Sequence, residues 1–176
     1  MSVKAELNIR LAATETLAAV AGDQPKWQGA LQKLESLLDG TAAGEADLLF
    51  MEARSLGDGA SEVLDLTGGG LETPLNEAFD AAEMVALMVI NAPLSSGAAN
   101  TTNLTLGNAT NAFEGFLSAG ATVGPIPPGG VFFIAASDAA GLGAVSAGST
   151  DGVQVANSAG AAATYQIAML ARSATS

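Results

Sequence analysis

The chain has no cysteine and no histidine. Without cysteine it can have neither a disulfide framework nor a thiolate metal site. Without histidine it lacks the commonest general base, the commonest metal ligand and the usual switch near neutral pH. Aromatic residues make up only 5% of the chain, and its 6 lysines and arginines face 18 acids. A formal charge of −12 repels phosphate backbones and anionic lipid surfaces, so neither nucleic acid nor membrane is an expected partner. Long apolar runs are also missing. The most apolar stretch, Met84 to Ile90, is far too short to cross a bilayer as a helix. In the N-terminal "LAATETLAAVAG", Thr14, Glu15 and Thr16 break up any signal-peptide core, and no leader is expected.

What remains is a chain of 176 residues rich in Ala and Gly, about one domain and long enough to bury a core without staples. The cations are Lys4, Arg10, Lys26, Lys33, Arg54 and Arg172, and none lies between Ser55 and Ala171. Beyond Glu83 the acids are Glu114, Asp138 and Asp151. The second half is therefore nearly uncharged. Such a surface is either covered by other subunits or made of neutral Ala, Thr and Ser.

The apolar pattern reads as short strands. "VKAELNIRL" (3–11) alternates Leu7, Ile9 and Leu11 with Glu6, Asn8 and Arg10. Over 25–38, Trp27, Leu31, Leu34 and Leu38 recur at helical spacing behind Pro25, which predicts a short helix. Gly29 weakens that helix, and a strand is the alternative. Further strands are expected at 48–56, 61–66, 84–92, 103–107, 131–136, 144–148, 153–157 and 164–171. "NAFEGFL" (111–117) is short and aromatic, and "VGPIPPGG" (123–130) reads as a turn. "VFFIAA" (131–136) reads as a strand buried on both faces, or on one face by the core and on the other by a neighbour. Asp151-Gly152 has the composition of a two-residue hairpin turn. Turn signals every 8–12 residues predict an all-β fold: a single-domain antiparallel β-sandwich, jelly-roll-like, with a short N-terminal helix. Its expected parts are an N-terminal strand and arm or helix segment over 1–38 and a sandwich body over 39–176.

No motif carries chemistry. The Asn-x-Thr triplets at Asn100, Asn103 and Asn108 sit in a polar, turn-rich stretch and read as loop. "GLGAVSAG" (141–148) misses dinucleotide-loop spacing, and "TGGG" (67–70) has no lysine partner. Asp58, Glu62 and Asp65 lack the spacing of a calcium loop and read as a turn followed by solvent-facing strand residues. Glu45, Asp47 and Glu52 read as a solvated edge. No Ser-x-x-Lys arrangement stands in for a missing histidine base, and no two acids are singled out as a catalytic pair. Neither enzymatic activity nor a metal or other cofactor is expected.

In "DGTAAGEADLLFMEARSL", "EVLDLTGG", "IPPGGVFFIAASDAAG" and "DGVQVANSAGAAATYQIAML", which span roughly 39–171, the chain resembles small structural proteins of tailed bacteriophages. The shared features are turns and strands in a given order. The resemblance implies a β-rich virion component that forms a homo-oligomer. Within that class the size and acidity favour a capsid decoration, or cement, protein. Such a protein would be made in the bacterial host cytoplasm and would bind the major capsid protein at the capsid surface. On that reading Glu6, Glu45, Asp47 and Glu52 are the candidates for contacting the capsid. Met84, Leu87, Val89, Val131, Phe132, Phe133 and Ile134 are the candidates for core and intersubunit packing. The competing readings are a tail tube or tail-tip subunit and a host- or glycan-binding module. The last would want more exposed aromatics than the chain supplies.

Overall fold

The computed structural model describes residues 2–16, 26–94, 97–117 and 120–174. Among them there is no helix, and the fold is all-β. The strands are β1 (Ala5–Thr16), β2 (Lys26–Leu37), β3 (Leu48–Leu56), β4 (Ser61–Asp65), β5 (Glu83–Ile90), β6 (Leu104–Gly107), β7 (Thr122–Ile126), β8 (Val131–Ala135), β9 (Gly143–Ala144), β10 (Gly152–Asn157) and β11 (Ala163–Arg172). They form three antiparallel groups. β1 and β2 pair only with each other. One body sheet has the order β4-β10-β6-β7, and the other has β3-β11-β5-β8 with β9 appended to β5.

The two body sheets share one core. Alternation on β11 sends Tyr165, Ile167 and Met169 inward, where they meet Phe50 of β3 and Leu87 and Val89 of β5. The other sheet contributes Leu64, Leu104, Leu106, Val153 and Val155 to the same cluster. The rings of Phe50 and Phe79 meet edge to face, with centroids 6.0 Å apart. Opposite the step from Leu170 to Ala171 the register shifts, so that Met84 pairs with Ala171 and Val85 has no partner on β11. This bulge returns Met84 to the core and turns Val85 toward the opposite face.

Several strands lie where the apolar pattern puts them, and others do not. Residues 26–37 form a strand, not a helix. The spacing of Trp27, Leu31 and Leu34 is compatible with a helix locally, but a twelve-rung ladder from Ala5↔Leu37 to Thr16↔Lys26 decides the matter. Gly29 fits that strand because the Trp27 indole lies across it, and a Cβ there would come within 2.5 Å of the ring. Residue 25 lies outside the described residues.

β7 occupies part of the stretch read as a turn. It contains Pro125, which a strand tolerates at a sheet edge, and β7 is such an edge. The turn itself is confined to Pro127–Gly130, where the Gly130 N–H donates to the Pro127 carbonyl at 2.8 Å and Gly129 takes φ +75°. Asp151-Gly152 is not a hairpin turn. Gly152 already belongs to β10, which pairs with β4 and β6, whereas β9 pairs with β5. The buried Asp151 carboxylate instead accepts the Gly148 N–H across the preceding turn.

β8 is the edge of its sheet. Phe132 and Ile134 pack on the main core, while Phe133 and Ala135 pack on the opposite side against the base of the β1–β2 hairpin. Neither expectation for "VFFIAA" holds in full: one side leans on the core, the other is only partly covered by the ribbon base of the same chain, and Val131 stays 60% exposed.

Candidate functional site

Directly opposed residues of an antiparallel pair share a face. The β1–β2 register therefore sorts the hairpin into two faces. One carries Ala5, Leu7, Ile9, Leu11, Ala13 and Glu15 opposite Leu37, Glu35, Lys33, Leu31, Gly29 and Trp27, and the other carries Glu6, Asn8, Arg10, Ala12, Thr14 and Thr16 opposite Ser36, Leu34, Gln32, Ala30, Gln28 and Lys26. The first face is the more apolar, though the Lys33–Glu35 ion pair at 2.9 Å breaks it on β2, and the second is polar apart from Leu34 and two alanines, so the hairpin is an unevenly amphipathic ribbon. Its twelve residues per strand reach roughly 40 Å at about 3.3 Å per residue.

Only the base of the ribbon is covered. Val3, Leu7 and Leu37 pack with Val85, Ala86 and Leu170 in a second buried cluster. The base is also bonded to the body. The Ser137 hydroxyl donates to Glu35, and the Val3 N–H donates to Asp39 at 2.8 Å. That hydroxyl, and then Lys33, hold the Glu35 carboxyl below its ordinary range. Further out the apolar face is bare: Leu11 is 70% exposed, Leu31 77% and Trp27 60%.

Beneath the ribbon lies the outer face of the five-stranded sheet. Register places its side chains in rows across β3, β11, β5 and β8. The first row, Leu49–Leu170–Ala86–Ala135, is capped by the ribbon base. The second is Met51–Ala168–Met88–Phe133, and the third is Ala53–Gln166–Ile90–Val131. No charge occurs in the three rows, and Gln166 is their one polar residue. Met51 is 56% exposed and Val131 60%. Between the ribbon and the second row runs an apolar wedge of about 520 Å³, lined by Leu7, Ile9, Met51, Met88, Val131 and Phe133 among others.

The charge lies elsewhere. Residues 1–38 hold four of the six cations and four of the eighteen acids, so residues 39–176 carry the whole −12. Both cations of that segment are engaged. Arg54 binds Glu62 at 2.7 Å and Glu52 at 2.6 Å, and Arg172 pairs with Glu83. The Tyr165 hydroxyl donates to Glu62 at 2.8 Å, so β3, β4 and β11 meet in one network that bridges the two sheets. Burial first, and then that bond, raise the phenol well above its ordinary value; Glu62 above all raises the Arg54 guanidinium. Glu62 is thus a half-buried hub, not the solvent-facing strand residue that its sequence context implies.

The capsid-contact candidates do not share one environment. Glu6 stands exposed on the polar face of the ribbon. Glu45 caps its own turn by accepting the Ala42 N–H at 2.8 Å, Asp47 accepts the Ser173 N–H at 2.8 Å, and Glu52 is paired with Arg54. The packing candidates divide by face. Met84, Leu87 and Val89 are fully buried in the core, and Phe132 and Ile134 lean on it. Val131 and Phe133 belong to the outer rows. Asn100 is likewise engaged, since its amide donates to Asn91 and to the Thr164 carbonyl, each at 2.6 Å.

Sequence reading missed the ribbon face because Trp27 and Leu31 were grouped with Leu34 in a helix. A period-two reading of 26–37 puts Trp27, Leu31 and Leu37 on one face but sets Gly29, Lys33 and Glu35 among them, so the local signal is weak. Among the described residues no three His, Cys, Asp or Glu side chains converge as a metal site. Comparison of the chain with protein-family models, with curated proteins and with solved structures finds no match.

Proposed function

We propose that the chain is a non-enzymatic structural subunit of a tailed-bacteriophage particle, of the capsid decoration type. The observation that carries this reading is the uncharged outer sheet face beside an amphipathic ribbon. A contiguous apolar patch that its own chain leaves open is what an assembling subunit needs.

The winding of the body supports the architectural side of the reading. Strands β3 to β11, with β9 set aside, cross between the orders β3-β11-β5-β8 and β4-β10-β6-β7 at every step except β6 to β7, which pair within one sheet. Two four-stranded sheets linked by crossings between them are the pattern of a jelly-roll sandwich, an architecture used in virus shells and lectins. The acidic body suits an outer surface held away from packaged DNA. The cement mechanism is mass action: a protein that binds the assembled shell and not the loose subunit stabilises the shell.

A gold label on a cysteine introduced at Ser149, an exposed turn residue, tests the location, because no native cysteine competes for it. Electron images with label spread over the head support decoration. Label along the tail or at its tip assigns the chain to the tube or tip instead.

A further inference from the structure

We propose that the exposed half of the β1–β2 ribbon is an exchange arm that docks its apolar face on the outer sheet face of a second copy of this chain. The proposal rests on the reading of the chain as an assembling subunit, but not on where it assembles.

Three observations select a second copy as the occupant. First, the fit is already present within one molecule. The ribbon base, Leu7 and Leu37, packs on Ala86 and Leu170 of the outer sheet. The apolar stripe continues past that contact through Ile9 and Leu11 on β1 and, beyond the Lys33–Glu35 ion pair, through Leu31 and Trp27 on β2, while the sheet continues through its second and third rows. Each surface goes on beyond the part of the other that its own chain supplies, and an identical molecule supplies the missing part of both.

Second, the charges permit this contact and oppose its rival. Two bodies of net −12 repel each other, whereas the segment that bears the ribbon is neutral. Its cations Arg10 and Lys26 are also the ones that can meet a neighbour's acidic body, since Lys33 and both body arginines are held by glutamates.

Third, the area suffices. The bare stripe of one arm presents roughly 500 Å², at the upper end of what a monomer ordinarily leaves open. Reciprocal exchange buries two arms and two sheet faces, on the order of the 1,200–2,000 Å² of a stable, specific interface.

The test uses the purified full-length chain. Leu31→Cys places a thiol on the arm, and Met51→Cys places one on the sheet. Mixing the two proteins under mild oxidation is expected to give a disulfide-linked heterodimer at least ~10-fold faster than either variant paired with a Ser149→Cys control. In parallel, Leu11→Asp/Leu31→Asp is expected to weaken self-association at least ~100-fold by sedimentation, at tenfold or more per charge carried into an apolar contact. Its thermal unfolding should stay that of the parent at a concentration where both are monomeric.

Three results overturn the proposal. One is a wild-type chain that stays monomeric at the highest soluble concentration, which would leave the wedge to a different protein. Another is an oligomer that survives the double aspartate substitution. The last is a Leu31→Cys/Met51→Cys double variant that closes only within single chains, which would mean that the arm folds back on its own sheet. None of these bears on where a labelled chain sits on a particle, so the proposal and the decoration reading fail separately.

Discussion

Arg172 is the sole cation after Arg54, and it lies at the end of β11, nearly inaccessible to solvent. Its Nε donates to the Glu45 carbonyl at 3.0 Å, Nη2 donates to the Ser137 carbonyl at 3.2 Å, and Nη1 pairs with Glu83. One guanidinium therefore ties the loop before β3, the loop after β8 and the start of β5. Arg172→Met keeps much of the stem volume and removes every donor. Breaking a buried pair from one side costs about 3–5 kcal/mol, because the remaining charge loses its partner. The Glu83 side chain is 23% exposed, so water recovers part of the loss, and about 3 kcal/mol is expected. At ~2–4 °C per kcal/mol for a chain of this size, the melting temperature should fall by about 6–12 °C. Urea titration should show a lower midpoint at constant slope. Glu83→Gln alone should cost about 2 kcal/mol. Arg172→Met/Glu83→Gln removes both charges, so its cost should undershoot the sum of the singles by about 1–2 kcal/mol. An Arg172→Met variant within ~0.5 kcal/mol of the parent, or a strictly additive double, would refute this reasoning.

Further outcomes follow from the same geometry. Phe50→Ala opens a hole in the shared core beside Phe79 and should cost about 3–5 kcal/mol in urea melts, whereas Leu11→Ala on the bare ribbon should change the monomer by under ~0.5 kcal/mol. Gly129→Ala forces a side chain into φ +75° and should cost about 1–2 kcal/mol by the same assay. The Glu35 carboxyl is held below its ordinary 4.5, so its contribution is present above that pH and is lost as pH falls through the lower folded value. Acid should therefore loosen the ribbon base, read as falling fluorescence anisotropy of the single Trp27, and Glu35→Gln should remove the pH dependence. The Tyr165 phenol is raised from 10.0, so its contribution is present below that pH and is lost as pH climbs toward the folded value. Tyr165→Phe should flatten the alkaline limb of stability measured by chemical denaturation.

The body strands were readable because their signal is local. Tyr165, Ile167 and Met169 alternate with Thr164, Gln166 and Ala168, and that alternation is the inside–outside division of β11. Met84 to Ile90 reads as a buried strand because its sheet places it between β11 and β8. The ribbon was harder. Residues 26–37 fit a helix or a strand on their own, and the deciding contact is with β1, 10 to 32 positions away. Asp151-Gly152 misled for a similar reason: its composition suits a turn, but the carboxylate is used as a cap and Gly152 is held between β4 and the Ala112 bridge. The outer sheet face could not be read at all before the strand order was known. Met51, Ala168, Met88 and Phe133 form one row, yet they come from four separated strands. Glu62 shows the same limit in the electrostatics, since its partners Arg54 and Tyr165 lie 8 and 103 positions away.

The most direct measurement of the decoration reading is co-sedimentation of the purified chain with two forms of the capsid protein it is proposed to decorate: assembled, empty shells and unassembled subunits. Saturable binding to shells, with none to subunits, and shells that withstand heating better when occupied are the expected results. Equal binding to both forms, or none to shells, would contradict the cement mechanism.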